Sequence, residues 1–176
     1  MPILDASAST LLVVDFQARL MPVIEGADAA IGNARRLLDA AAKLEVPCVF
    51  TEQNPAGLGG TVEALSAPGA VLPKMTFDAT GSLGMLDHAP EDRAVVVAGC
   101  EAHVCVLQTV LGLLEAGRTV YVVRDAIGSR RIENKEAAVR RMERHGAEIV
   151  TTEMVVFEWL GTCKHPRFRE VVALIK

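Results

Sequence analysis

Residues 93–108 read RAVVVAGCEAHVCVLQ, and the change of pattern inside this stretch decides the fold. Residues 94–98 are an apolar, β-branched run, which is how a strand covered on both faces reads. The run breaks at Gly99, and a helical pattern follows, carried by Val106, Val110, Leu113 and Leu114. A strand turning sharply into a helix brings the helix's first N–H groups to the carboxyl edge of a parallel sheet, where open α/β sheets hold ligands. Cys105 stands at or just inside that helix start. Unpaired backbone donors and the helix dipole favour a thiolate there, and the thiolate is the nucleophilic form. Cys105 is therefore the candidate reaction centre.

Upstream, residues 10–16 (TLLVVDF) read as a buried strand ending at Asp15. A carboxylate directly after four apolar residues is costly to bury without a partner. It is either a structural anchor or a catalytic group at the strand's end, and the residue alone does not choose. Residues 28–44 form an amphipathic helix with Ile31, Ala34, Leu37, Leu38 and Ala41 on one side. Pro47 opens a second strand, 48–51. The segment 52–60 (EQNPAGLGG) is a loop with neither a G-x-G-x-x-G nor a P-loop pattern. A short helix near 62–65 precedes a brief extended piece, Val71 and Leu72, which delivers Lys74. A lone loop lysine is usually a surface charge, so Lys74 matters only if the fold sets it beside Asp15 and Cys105.

Downstream of residue 74, MTFDATGSLGML (75–86) reads as a loop with a short helical turn. Gly117 ends the central helix, 119–123 is another strand, and Asp125 reads as a loop anchor. Ser129 and Glu133 bracket the start of a charged helix running to His145. Residues 148–151 make a fifth strand, followed by short helices near 153–160 and from 166 onward. Strands alternate with helices throughout, which predicts one domain over residues 1–176: a doubly wound, three-layer α/β/α fold with a mainly parallel sheet. Asp15, the Lys74 loop and the turn before Cys105 would meet at one sheet edge.

Composition narrows the function. Hydrophobic residues are 51% and charged ones 23% of 176, so the chain can build a sizeable core. A net charge of −4 argues against a broad nucleic-acid surface, and the basic residues 130–144 are interleaved with glutamates as on a solvated helix face. No apolar run nears the length of a membrane span. The opening MPILDASAST lacks the basic cluster of a secretory signal, so a cytoplasmic, reducing setting is expected, with Cys48, Cys100, Cys105 and Cys163 unpaired. Cys48 reads as a small buried hydrophobe. The histidines lie on separate elements without ligand spacing, so no metal or other cofactor is expected.

Carboxylate, ammonium and thiol form a coherent set: the carboxylate takes the thiol proton, and the ammonium holds the resulting charge. In this arrangement the chain resembles the isochorismatase-like cysteine hydrolases, a family that includes nicotinamidases. The likeness is carried by LLVVDFQ with Asp15, by Lys74 with Phe77 after it, and by VVVAGCEAHVCV with Cys105. It implies a sheet of about six strands and a catalytic triad of Asp15, Lys74 and Cys105. It also implies a non-proline cis peptide at Cys100–Glu101 and an oxyanion hole made by the N–H groups of Glu101 and Cys105. The substrate would be a small amide-type molecule, cleaved at a C–N bond by way of a thioester.

EQNPAGLG, GCEAHVCVLQT and KHPRFREV bring the chain nearest to small isochorismatase-domain hydrolases of poorly assigned substrate. Three departures stand out: Ala102 replaces the family's frequent threonine, Glu52 and Gln53 replace nicotinamidase metal ligands, and the loop between Lys74 and Phe77 is short. Phe16, Gln17, Phe77, Cys100 and His103 are candidate pocket residues, with Phe157 and Trp159 as further aromatic candidates. His103, two residues before Cys105, faces a different way and is expected at the rim rather than in a Cys/His dyad. A mean hydropathy of +0.30 and the family likeness point to a homo-oligomer, as a dimer, tetramer or larger. The competing reading is an oligomeric scaffold or regulatory protein with a vestigial site; a nucleotide-binding oxidoreductase has fold-level support alone.

Overall fold

The computed structural model describes residues 3–82 and 84–176. Six strands form one sheet: β1 (Ser9–Val14), β2 (Cys48–Gln53), β3 (Ala70–Lys74), β4 (Ala94–Cys100), β5 (Val120–Gly128) and β6 (Glu148–Val150). Their order is β3-β2-β1-β4-β5-β6, and every neighbouring pair is parallel. The strand order reverses between β1 and β4, which makes their carboxyl ends the switch point where such sheets open a crevice.

Period-two alternation distributes each strand between two cores. Leu11, Val13, Val96, Ala98, Tyr121 and Val123 face one layer. Leu12, Val14, Val95, Val97, Val120 and Val122 face the other. The first layer is covered by α1 (Ala27–Leu44), α5 (Thr152–Leu160) and α6 (Phe168–Val172), and the second by α3 (Leu107–Glu115) and α4 (Ile132–Arg144). The short α2 (Pro55–Leu58) lies in the connection after β2. The buried face of α1 combines Ala30, Ala34, Ala40 and Ala41 with the larger Leu37 and Leu38.

Expectations change at several points: the strand predicted at 48–51 continues to Gln53, and Lys74 ends a strand rather than lying in a loop. The strand predicted at 119–123 continues to Gly128, and Asp125 lies within it. There Asp125 Oδ1 accepts from Thr152 N at 2.8 Å and Thr152 Oγ1 at 3.0 Å, anchoring the start of α5. The charged helix begins at Ile132 without a side-chain cap, because Ser129 is engaged elsewhere. Trp159 is buried, and its Nε1 donates to Ser9 Oγ at 3.1 Å. Ser9 begins β1, so Trp159 sits at the sheet edge opposite the carboxyl ends, and Phe157 on the same helix is half-exposed. Neither aromatic lines the predicted site.

Gly99 explains how β1 and β4 come so close at the switch point. It pairs with Val14 in register, and a Cβ added to it would stand 2.5 Å from both Val14 Cβ and Val14 O. Only glycine fits between these strands immediately before the site.

Candidate active site

Asp15 follows β1 with φ of 50°, a left-handed conformation that a short polar residue tolerates better than most. Its N–H donates to Thr51 O at 3.1 Å, so the turn stays tied to β2. The side chain is fully buried. Oδ1 accepts from Thr51 Oγ1 at 2.7 Å, and Oδ2 accepts from Lys74 Nζ at 2.7 Å. Lys74 ends β3, beside Gln53 in register, and its Nζ also donates to Gln53 Oε1 at 2.8 Å and Thr76 O at 3.3 Å. A buried charge pair persists when its remaining hydrogen-bonding capacity is satisfied, and here neighbouring strand ends supply the partners.

A second amide sets Gln53 in place. Gln17 Oε1 accepts from Gln53 N at 2.8 Å, while Gln17 Nε2 donates to Gln53 O at 3.0 Å and to Gly59 O at 2.6 Å. Gln53 Nε2 in turn donates to Met75 O at 2.9 Å. Gln17, a candidate pocket residue, is thus wholly buried scaffold behind the lysine.

Cys105 lies in a wide π-type turn, Ala102–Val106, that joins β4 to α3. Val106 N donates back to Glu101 O at 3.2 Å across five residues, the bonding that defines such a turn. The peptide bond Cys100–Glu101 is cis. Cys105 is 6% exposed, and its thiol lies within the electrostatic reach of both the Asp15 carboxylate and the Lys74 ammonium. Burial pushes this thiol up to about 12, the Asp15 carboxylate adds to the rise, and Lys74 opposes it without prevailing. The expectation of a resting thiolate at a helix start is therefore replaced: desolvation and a nearby negative charge outweigh the lysine, and the resting form is the thiol.

The remaining candidate pocket residues divide. Phe16 packs into the core below the edge, 1% exposed. Cys100 is fully buried at the end of β4, and burial pushes its thiol up to about 12. His103 turns away from Cys105, its Nδ1 sharing a hydrogen bond of 3.0 Å with Ser129 Oγ. Phe77 alone of the five is exposed, on the loop after Lys74. That loop is held against α3 because Ala79 N donates to Thr109 Oγ1 at 3.0 Å, one helical turn beyond Cys105. Thr51, Gln53 and Thr109 escaped the sequence reading, since their roles depend on strand register and loop packing. Among the described residues, no three of His, Cys, Asp and Glu group as metal ligands would, and no helix is long and apolar enough to cross a membrane.

Comparison with known proteins supplies the relatives. A family model described as Isochorismatase domain matches residues 9–154. Isochorismatase domain-containing protein 2 of Macaca fascicularis is 39% identical over 171 residues, spanning 96% of this chain and 83% of that protein. The solved structure of "MAR1 Ribonuclease from Caenorhabditis elegans" superposes with a TM-score of 0.94 at 36% identity, covering 99% of this chain and 92% of that one. The Escherichia coli YcaC structure, described as an octameric hydrolase of unknown specificity, follows with a TM-score of 0.85 at 25% identity, covering 99% and 88%.

Proposed function

This chain belongs to the isochorismatase domain family, whose fold supports a hydrolase, and from that premise we propose a metal-independent cysteine hydrolase that cleaves a C–N bond in a small amide. One domain over residues 1–176 carries the activity. The observation that carries the reading is a carboxylate and an ammonium 2.7 Å apart, shielded from water, whose charges both act on the buried Cys105 thiol.

With the resting thiol protonated, proton transfer accompanies attack. Cys105 Sγ adds to the amide carbonyl carbon as Asp15 takes the thiol proton. Lys74, held by Asp15 and Gln53, offsets the negative charge that develops at sulfur and oxygen. The N–H groups of Glu101 and Cys105 receive the oxyanion. Asp15 then returns the proton to the leaving nitrogen, the C–N bond breaks, and a thioester remains with free amine. Water, deprotonated by Asp15, attacks the thioester, releasing the carboxylic acid and regenerating the thiol.

The assembly is a homo-oligomer in this reading, supported by the octameric description of the YcaC relative and by exposed Val71, Met75 and Phe77 beside the Lys74 strand. The ribonuclease name of the nematode structure is not carried over, because a net charge of −4 is ill suited to a polyanionic substrate.

The test is a panel of small amides and esters with the parent and Cys105→Ala. The parent should turn over at least one member and show an acyl mass increment on Cys105, and the alanine variant should do neither. The high thiol value and 6% exposure favour one rival, a vestigial site on an oligomeric scaffold. Intact binding and assembly with no acyl adduct from any panel member would select the rival.

A further inference from the structure

We infer that the Glu101 carboxylate and Arg130 form a latch that positions the oxyanion-binding turn before Cys105; the inference rests on Cys105 being the nucleophile. The parallel ladder between β4 and β5 ends at the pair Cys100–Gly128. Glu101 and the following turn therefore lie one step beyond the reach of sheet hydrogen bonding. Side chains take over there. The Glu101 side chain is 8% exposed, and its Oε2 accepts from Arg130 N at 2.9 Å and Arg130 Nε at 3.0 Å. Its Oε1 accepts from the same Nε at 3.1 Å. A carboxylate this buried is costly unless its charge is answered, and one residue answers it with both backbone and guanidinium.

A second tie runs parallel. His103 Nδ1 meets Ser129 Oγ at 3.0 Å, and Ser129 is 1% exposed. Ser129 O in turn accepts from Glu25 N at 3.0 Å, so the connection after β5 is itself pinned. Two side chains of the Cys105 turn thus grip two successive residues beyond β5. On its other flank the turn carries the Cys105 thiol into the field of Asp15 and Lys74. The turn is gripped from the β5 side at two of its side chains, and Val104 N and Val106 N close it internally on Glu101 O.

Oxyanion donors act only within about 2.7–3.1 Å of the developing charge, and a shift of about 1 Å costs on the order of 100-fold in rate. Glu101 and Arg130 are positioning residues in this scheme: their side chains touch no substrate and act through the Glu101 and Cys105 N–H groups.

Two reactions of Cys105 separate positioning from general structural support. Acylation by p-nitrophenyl acetate passes through an oxyanion, whereas alkylation by iodoacetamide displaces iodide at a saturated carbon and forms none. Glu101→Ala should slow acylation about 100-fold, with Glu101→Gln recovering part of the loss, while alkylation stays within about twofold of the parent. Arg130→Ala, at an exposed position that tolerates truncation, should slow acylation about 10-fold, because the residue 130 N–H still serves Glu101. The latch is overturned if Arg130→Ala acylates at the parental rate, or if acylation and alkylation fall together in that variant. A parent protein that is alkylated at Cys105 yet never acylated there overturns the underlying assignment of the nucleophile instead.

Discussion

Lys74 Nζ lies 2.7 Å from Asp15 Oδ2, and neither side chain has any solvent exposure. A charge pair this dry depends on both members, since removing one strands the other in a medium that solvates it poorly. Lys74→Met should therefore lower the unfolding free energy by about 3–5 kcal/mol. The double variant Asp15→Asn with Lys74→Met should recover much of that stability in urea unfolding but none of the turnover. Equal losses in the single and double variants would show that the pair is not coupled as described.

Gln53 presents one side chain to two tasks, accepting from Lys74 and donating to Met75 O. Gln53→Leu keeps much of the bulk and removes both bonds. The lysine loses a fixed acceptor, and turnover should drop by about 10²-fold with KM little changed, as for a misplaced charge in a preorganised site. Steady-state kinetics on whichever amide is accepted checks this, and an unchanged kcat would remove Gln53 from the site.

Desolvated thiols make stability fall at high pH, and two are Cys48, which is half-buried rather than buried as expected, and the fully buried Cys100. Burial pushes Cys48 up to about 11 and Cys100 up to about 12, against about 8.5 for a free thiol. The folded chain keeps these protons after the unfolded chain has released them. Their contribution is therefore full below about pH 8.5 and is lost as pH rises toward the folded values. Cys100→Ala removes one such group, and between about pH 8.5 and 11 its unfolding free energy should fall less steeply, by up to about 1.4 kcal/mol per pH unit. Parallel slopes for parent and variant would contradict the assignment.

Gly99→Ala should be among the most damaging single-methyl additions in the chain. The new Cβ would stand 2.5 Å from Val14 Cβ and Val14 O, so β1 and β4 must separate at the switch point. A loss of about 3 kcal/mol is expected, with turnover impaired even where the variant folds, because Asp15 and Cys105 follow these two strands. Thermal melting paired with the acyl-adduct assay tests both halves.

Oligomerisation is read by light scattering. The proposed assembly should give a mass that is a whole multiple of 18.8 kDa, and a single-subunit mass at micromolar concentration would exclude it.

The apolar runs, the glycine break and the helical periodicity were enough to specify a doubly wound α/β chain, because strand and helix periods are local properties of sequence. Asp15 and Cys105 stood out locally because each comes after an apolar strand, whereas Lys74 read as a loop charge, and the three were joined as a set by the family resemblance. Their surroundings were not legible. Gln53 reads as a loop residue until β2 and β3 pair in register and set it beside Lys74. Ser129 reads as a helix cap until His103 claims it. Phe16 and Trp159 read as pocket aromatics until the layers close over them. The state of the thiol was decided at the same level. A helix start alone would lower its pKa, but burial and a carboxylate brought from a distant strand raise it to about 12. Desolvation and register belong to the assembled sheet, where residues far apart in the chain exclude water from one another, and no stretch of sequence carries them by itself.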